Sequence, residues 1–358
     1  MKRLFSILCT LCAMFFVGCN TPTNNDGDEQ PVLCDEGVFV LCEGSYGSGT
    51  ASLWFYEPDT KTVKADVFGQ ANDAMLGDVG QSLYLYNSML YVVVNNSGVV
   101  YGLSSSTAEV EGVIENLLSP RYIAISGDSR KGYISQMYTN KLTVFNPATL
   151  EVTGEVELSG VADGDQMAVV GDRLFVAAWS NGHKIVVIDT TTDKQIATIE
   201  VGVQPYSIAL DKNNTLWIVC DGGNEWSSLP EGVTMEAPSL WKLNTETLEA
   251  QKVHEFAQGS YFSSHLATNG AADTLYFING SVWAFDVTSA TFPTTPLIEL
   301  SGWSYYGLGV DPNNGDIYIA DAKDYMSDGA VLRYSASGEK LDEFAVGICP
   351  SKFAFHGE

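Results

Sequence analysis

Basic side chains are scarce in this chain. Among 358 residues, 18 Lys and Arg stand against 44 Asp and Glu, giving a net charge of −26. Neutralising a phosphate backbone takes clustered Lys and Arg, so nucleic acid is excluded as a partner. Histidine is rarer, with only His183, His254, His265 and His356. None forms a metal-ligand pair, and the cysteines lack zinc-site spacing, so no metal centre is expected. The turn-like stretch Asp311-Pro-Asn-Asn-Gly-Asp316 lacks calcium-loop spacing and reads as a hairpin turn. No nucleophile elbow, phosphate loop or dinucleotide fingerprint occurs. The chain therefore does not read as an enzyme, and no catalytic cofactor is expected.

Long apolar runs are also missing. The N-terminal run from Leu4 to Val17 is 14 residues, too short to span a bilayer comfortably. It follows Lys2 and Arg3 and ends at Gly18-Cys19, the pattern of a secretory signal. Phe16-Val-Gly-Cys19 resembles the bacterial lipobox, which implies cleavage after residue 18 and lipid on Cys19. Residues 19–36 read as a flexible acidic tether, with Asp26, Asp28 and Glu29 placed as in the surface-export signal of Bacteroidota lipoproteins. Loss of Lys2 and Arg3 would take the mature charge from −26 to −28. The expected address is the outer membrane, lipid-anchored and facing the exterior.

What is plentiful is repetition. A strand end running into a short-side-chain turn recurs as Tyr56-Glu-Pro-Asp-Thr60, Leu103-Ser-Ser-Ser-Thr107, Phe145-Asn-Pro-Ala-Thr149 and Ile188-Asp-Thr-Thr-Thr192. It returns as Leu243-Asn-Thr-Glu-Thr247, Phe285-Asp-Val-Thr-Ser289 and Tyr334-Ser-Ala-Ser-Gly338. The spacings are 47, 42, 43, 55, 42 and 49 residues. Hairpins recur out of phase with these turns, as in Pro205–Leu210 followed by Leu216–Val219. No helix pattern is recognised after the signal. Periods of this length built from four strands predict an all-β, seven-bladed β-propeller over residues 37–358.

The ends predict how the ring closes. Ile348–Phe355 matches Val203–Leu210, an innermost strand, but no hairpin partner follows it. Gly37–Leu41 reads as a second strand with no innermost strand before it. The C-terminal strand should therefore join the N-terminal blade. Cys42 and Cys349 would then lie near each other, either bridged or as two free buried thiols.

Strand direction sorts the loops into two faces. One carries Tyr46, Asn95, Asn96, Gln136, Tyr138, Trp179, Trp226, Asp321 and Tyr325 between second and third strands. Approaching the inner strands, it adds Arg121, Tyr122, Gln166, Tyr206, Tyr261, His265, Trp303, Tyr305 and Tyr306. Aromatic planes flanked by amides suit a large, flat, amide-rich or hydroxyl-rich ligand.

Several motifs carry a resemblance. Gly77-Asp-Val-Gly-Gln-Ser82, Val93-Val-Asn-Asn-Ser97, Ser119-Pro-Arg-Tyr-Ile123, Glu236-Ala-Pro-Ser-Leu240 and Tyr305-Tyr-Gly-Leu308 stand behind the lipobox-like start. Together they resemble the YncE-like surface propeller lipoproteins of Bacteroidota, including the BtuG-type cobalamin-binding proteins. That resemblance implies tight capture of cobalamin or another corrinoid and transfer to a BtuB-like TonB-dependent transporter. Glycan binding or adhesion, and less readily an extracellular lyase or hydrolase, are the alternatives.

Overall fold

A computed structural model describes residues 32–357 except 181, 224–226, 228 and 303. Cys19, Trp226 and Trp303 therefore lie outside the described residues.

The described chain forms seven antiparallel sheets arranged as blades. Blade one combines Pro350–His356 with Gly37–Cys42, Ser52–Glu57 and Thr62–Lys64. Blades two to five begin at Gly80, Pro120, Met167 and Pro205, blade six at Ala267 and blade seven at Tyr305. Six sheets have four strands; in blade six the fourth position is held by a single bridge from Ile298 to Val282. The innermost strands touch in sequence around a circle, and Pro350–His356 contacts the inner strands of both blade seven and blade two.

Second strands explain why the ring holds together. Met89–Val94 and Thr215–Cys220 are almost wholly buried, because each lies between two neighbouring blades. Alternation then splits their side chains between neighbours: Leu90 and Val92 pack against blade one, Tyr91 and Val93 against blade three. The described residues hold seven such hydrophobic clusters, one at each blade interface. Outer strands have only one such neighbour, so Lys194–Glu200 alternates between exposed and half-buried positions. Near the axis space runs out: a Cβ at Gly307 would lie 2.3 Å from the Ser351 carbonyl oxygen.

The closure is as the sequence predicts. Val38 pairs with Phe355 and Val40 with Phe353 in an antiparallel ladder. Of the two alternatives for the cysteines there, the structure has the second: Cys42 and Cys349 are both free and buried. Cys42 instead meets the Ser52 hydroxyl and the Gly347 backbone.

Two further features depart from the sequence reading. A short helix, Val67–Asn72, follows blade one, capped by Asp66, whose carboxylate accepts from the Gly69 N–H at 3.3 Å. Val67 and Phe68 bury into the blade one–two interface. Fewer than two turns with two adjacent apolar residues leave no helical period to read. The expected tether also ends early. Cys34 is fully buried in that interface, and its N–H donates to the Ser106 carbonyl at 2.7 Å. The chain thus enters the ring on the face of the short turns.

Candidate functional site

The opposite face is organised by β-bulges. In five blades the ladder between first and second strands slips at the same end. The residues left out of register are Gln81, Arg121 with Tyr122, Tyr206, Tyr306 and Ser351. A bulge re-aims a side chain that a regular ladder would hold between blades. Most of these side chains meet at the mouth of the ring.

There they form two bonded groups, one joining blades two to six and one joining blades seven and one. Arg121 Nε donates to Asp165 Oδ2 at 2.8 Å, and Nη1 donates to Gln81 Oε1 at 2.6 Å. The guanidinium lies 5.9 Å from the Tyr122 ring and 5.6 Å from the Trp179 ring. Trp179 Nε1 donates to Asp221 Oδ2 at 3.0 Å, and its ring meets Tyr206 edge-on at 6.2 Å. Tyr206 stacks on His265 at 4.7 Å. His265 Nε2 then shares a 3.1 Å hydrogen bond with the Tyr122 hydroxyl, joining blade six to blade three. On the remaining side, Tyr306 donates to Glu43 Oε2 at 3.2 Å, with Lys352 Nζ 4.0 Å from Glu43 Oε1. Every blade contributes to one of these two groups.

Electrostatics follow from burial. Burial opposes the charge on Arg121, but the Asp165 carboxylate and Tyr122 outweigh it and hold its pKa above the usual value. Burial, with Lys352 and Arg121 nearby, pushes His265 well below the ordinary histidine range, so its imidazole is neutral at physiological pH. Burial likewise raises all four described thiols, Cys34 and Cys349 to about 12. None is poised as a nucleophile. Among the described residues, no group of three or more His, Cys, Asp or Glu could hold a metal ion.

Asp163 supplies a test of this environment. It is 4% exposed, its Oδ1 has no hydrogen-bond partner, and burial raises its pKa from 3.8 to about 6. A carboxyl raised in the folded state destabilises the fold fully above the folded pKa. The penalty fades as pH falls from about 6 toward the unfolded value near 3.8. Asp163→Asn should therefore stabilise the protein by roughly 2 kcal/mol at pH 7.5 and by little at pH 4. Denaturant titrations at the two pH values check this; an equal effect at both would contradict the assignment.

The other expected site residues divide into three groups. Asn95, Gln136 and Gln166 act as internal clamps. Asn95 Nδ2 donates to the Pro120 carbonyl at 2.9 Å, and Gln136 Oε1 accepts from the Leu118 N–H at 2.7 Å. Gln166 Oε1 accepts from Ser207 and from the Ile208 N–H. Tyr46, Tyr138 and Tyr325 form an exposed rim, at 80%, 75% and 42%. Asn96 shares that rim and donates to Asp78 Oδ2 at 2.5 Å. Tyr305 pairs with Asp321 across the first rungs of blade seven and lines a notch beside the mouth. Sequence reasoning missed Gln81, Asp165, Glu43 and Lys352 as mouth residues. One signal was available: Gly80-Gln-Ser82 occupies the same place in its blade as Pro205-Tyr-Ser207.

Residues 36–356 match the family described as Domain of unknown function (DUF5074). The chain belongs to this family. No curated protein sequence matches it. Several solved structures share the fold of this DUF5074 chain. A quinonprotein alcohol dehydrogenase-like protein from Bacteroides thetaiotaomicron VPI-5482 aligns with a TM-score of 0.68 at 15% identity, covering 90% of this chain and 79% of that one. A functionally unknown protein from Desulfotomaculum acetoxidans DSM 771 gives 0.67 at 11% identity, covering 90% and 100%. A putative 6-phosphogluconolactonase from Bacteroides fragilis NCTC 9343 gives 0.64 at 14% identity, covering 90% and 99%. Neighbours this different, at such low identity, carry the architecture to the DUF5074 chain and no activity.

Proposed function

We propose that this chain is a cell-surface propeller that captures a corrinoid on its mouth face. Lipid on Cys19 would tether it to the outer membrane, and a BtuB-like TonB-dependent transporter would receive the cargo. The observation that carries the reading is the mouth itself. Tyr206 and His265 are stacked and Trp179 meets Tyr206 edge-on, so the three rings make one aromatic cluster, set against Arg121 and Gln81 on a face that also carries exposed tyrosines. A corrin ring is broad, flat and edged with amides, so it can lie over the mouth aromatics while its amides reach the exposed rim tyrosines Tyr46 and Tyr138. Its lack of strong negative charge avoids repulsion from an acidic protein. The network is held by its own hydrogen bonds, so little ordering is left to oppose binding.

Titration calorimetry of the purified chain from residue 19 with cyanocobalamin should give one-to-one binding at nanomolar affinity or better, about −12 kcal/mol. Trp179→Ala and Tyr138→Ala should each weaken it, the former by on the order of a hundredfold as a partly buried aromatic anchor. Absence of heat, together with absence of competition against a labelled corrinoid, would remove this reading.

A further inference from the structure

Blade six differs from its neighbours. Its inner strand is only Ala267–Thr268, and Thr274–Asn279 returns into Ser281–Asp286 through Gly280 alone. A Cβ placed on Gly280 would meet nothing within 4 Å, so the turn borders open space. Between this short blade and blade seven lies a notch of about 480 Å³. Tyr261 and Tyr305 supply its aromatic surface, and Ile278 adds an aliphatic one. Ser263 and Asn279 add a hydroxyl and a carboxamide.

The chemistry here is opposite to that of the mouth. Arg121, Tyr122, Trp179, His265 and Tyr306 are already bonded to one another or to carboxylates. Around the notch, the hydroxyls of Tyr261, Tyr305 and Ser263 and the carboxamide of Asn279 have no side-chain hydrogen bond among the described residues. Aromatic surface plus unspent hydroxyl and amide groups suits a ring that is apolar on its faces and hydroxylated at its edge.

We propose that the notch is a binding subsite for a sugar ring. The ring lies against Tyr261 and Tyr305, and its hydroxyls pair with Ser263 and Asn279. Such a ring has two possible sources: the end of a glycan, or the ribose in the nucleotide tail of a corrinoid seated on the adjacent mouth. The subsite does not depend on the corrinoid reading, because the first source is independent of it.

Two measurements separate the sources. Saturation-transfer NMR is run with the methyl glycosides of glucose, galactose, mannose and xylose. One small ring should bind with roughly millimolar affinity. Signal that disappears in Tyr261→Ala and in Asn279→Ala supports a glycan end. In parallel, cobalamin is compared with cobinamide, which lacks the nucleotide tail. An affinity ratio on the order of tenfold that collapses in the same variants supports the ribose. Tyr261 is 66% exposed, so its removal should leave the fold intact. No glycoside signal, combined with either equal corrinoid affinities or no corrinoid binding, overturns the subsite. No corrinoid binding with a retained glycoside signal overturns only the reading of the mouth.

Discussion

Arg121→Met is expected to lower the unfolding free energy by about 3–5 kcal/mol. Arg121 is 15% exposed and its partner Asp165 only 4%. Among the described residues, removing the guanidinium leaves a buried carboxylate with only the Gln166 N–H, at 3.0 Å, as a polar donor. It also strands Gln81 Oε1 and removes a nearby cation that favours ionisation of Asp163. Most of the cost is the uncompensated charge rather than the lost attraction, so a second change should recover it. Arg121→Met combined with Asp165→Asn should regain more than half of the loss, since deleting both charges of a buried pair is far less harmful than deleting one. Guanidinium chloride melts of both singles and the double form a complete cycle. If the double variant were destabilised by the sum of the two singles, Arg121 and Asp165 would not be acting as a pair.

That pair also shows where sequence reading stopped. The seven-fold repeat was legible because turn chemistry and strand alternation are local, and each blade restates them. The closure was legible because Ile348–Phe355 copies an inner strand that no hairpin partner follows. Arg121, Tyr122 and Tyr206 could be assigned to the mouth face from strand direction alone. Their partners could not. Asp165 and Glu43 are two among 44 acidic residues, and no local pattern tells which carboxylate meets Arg121 or Tyr306 across the mouth. The role of Gln166 was misleading for the same reason. Its amide lies on the expected face, but Ser207 and the Ile208 N–H of the next blade take it up. The notch was invisible for another reason: it is made by what blade six lacks, and a shortened strand looks like an imperfect repeat.

Ending the chain at Cys349 should abolish cooperative folding. The lost strand, Pro350–His356, is the inner strand of blade one and the contact between blades seven, one and two. Without it, Gly37–Cys42, buried at all six positions, becomes an open edge. Phe353 and Phe355 leave the interface between blades seven and one, and Ala354 leaves the next. Fully burying one large apolar side chain is worth about 1.5–3 kcal/mol, and a whole domain has only about 5–15 kcal/mol of margin. Losing the partly buried Phe353 and Phe355 and the buried Ala354, uncovering the six buried residues of Gly37–Cys42 on one side, and breaking a full ladder of backbone hydrogen bonds together exceed that margin. The exposed edge then offers a template for other chains, so aggregation should follow. The effect belongs to topology and not to the position of the C-terminus. Gly37 pairs with His356, so a short turn joining residue 357 to Gly37 would keep the same ladder in a circular permutant opened at an exposed turn between two other blades. That permutant should melt as sharply as the parent, while the truncated chain should elute as aggregate and show no unfolding transition. A truncated chain that remained monomeric with a sharp melt near the parent's would mean that the closing strand is dispensable and that the ring is held by its interfaces alone.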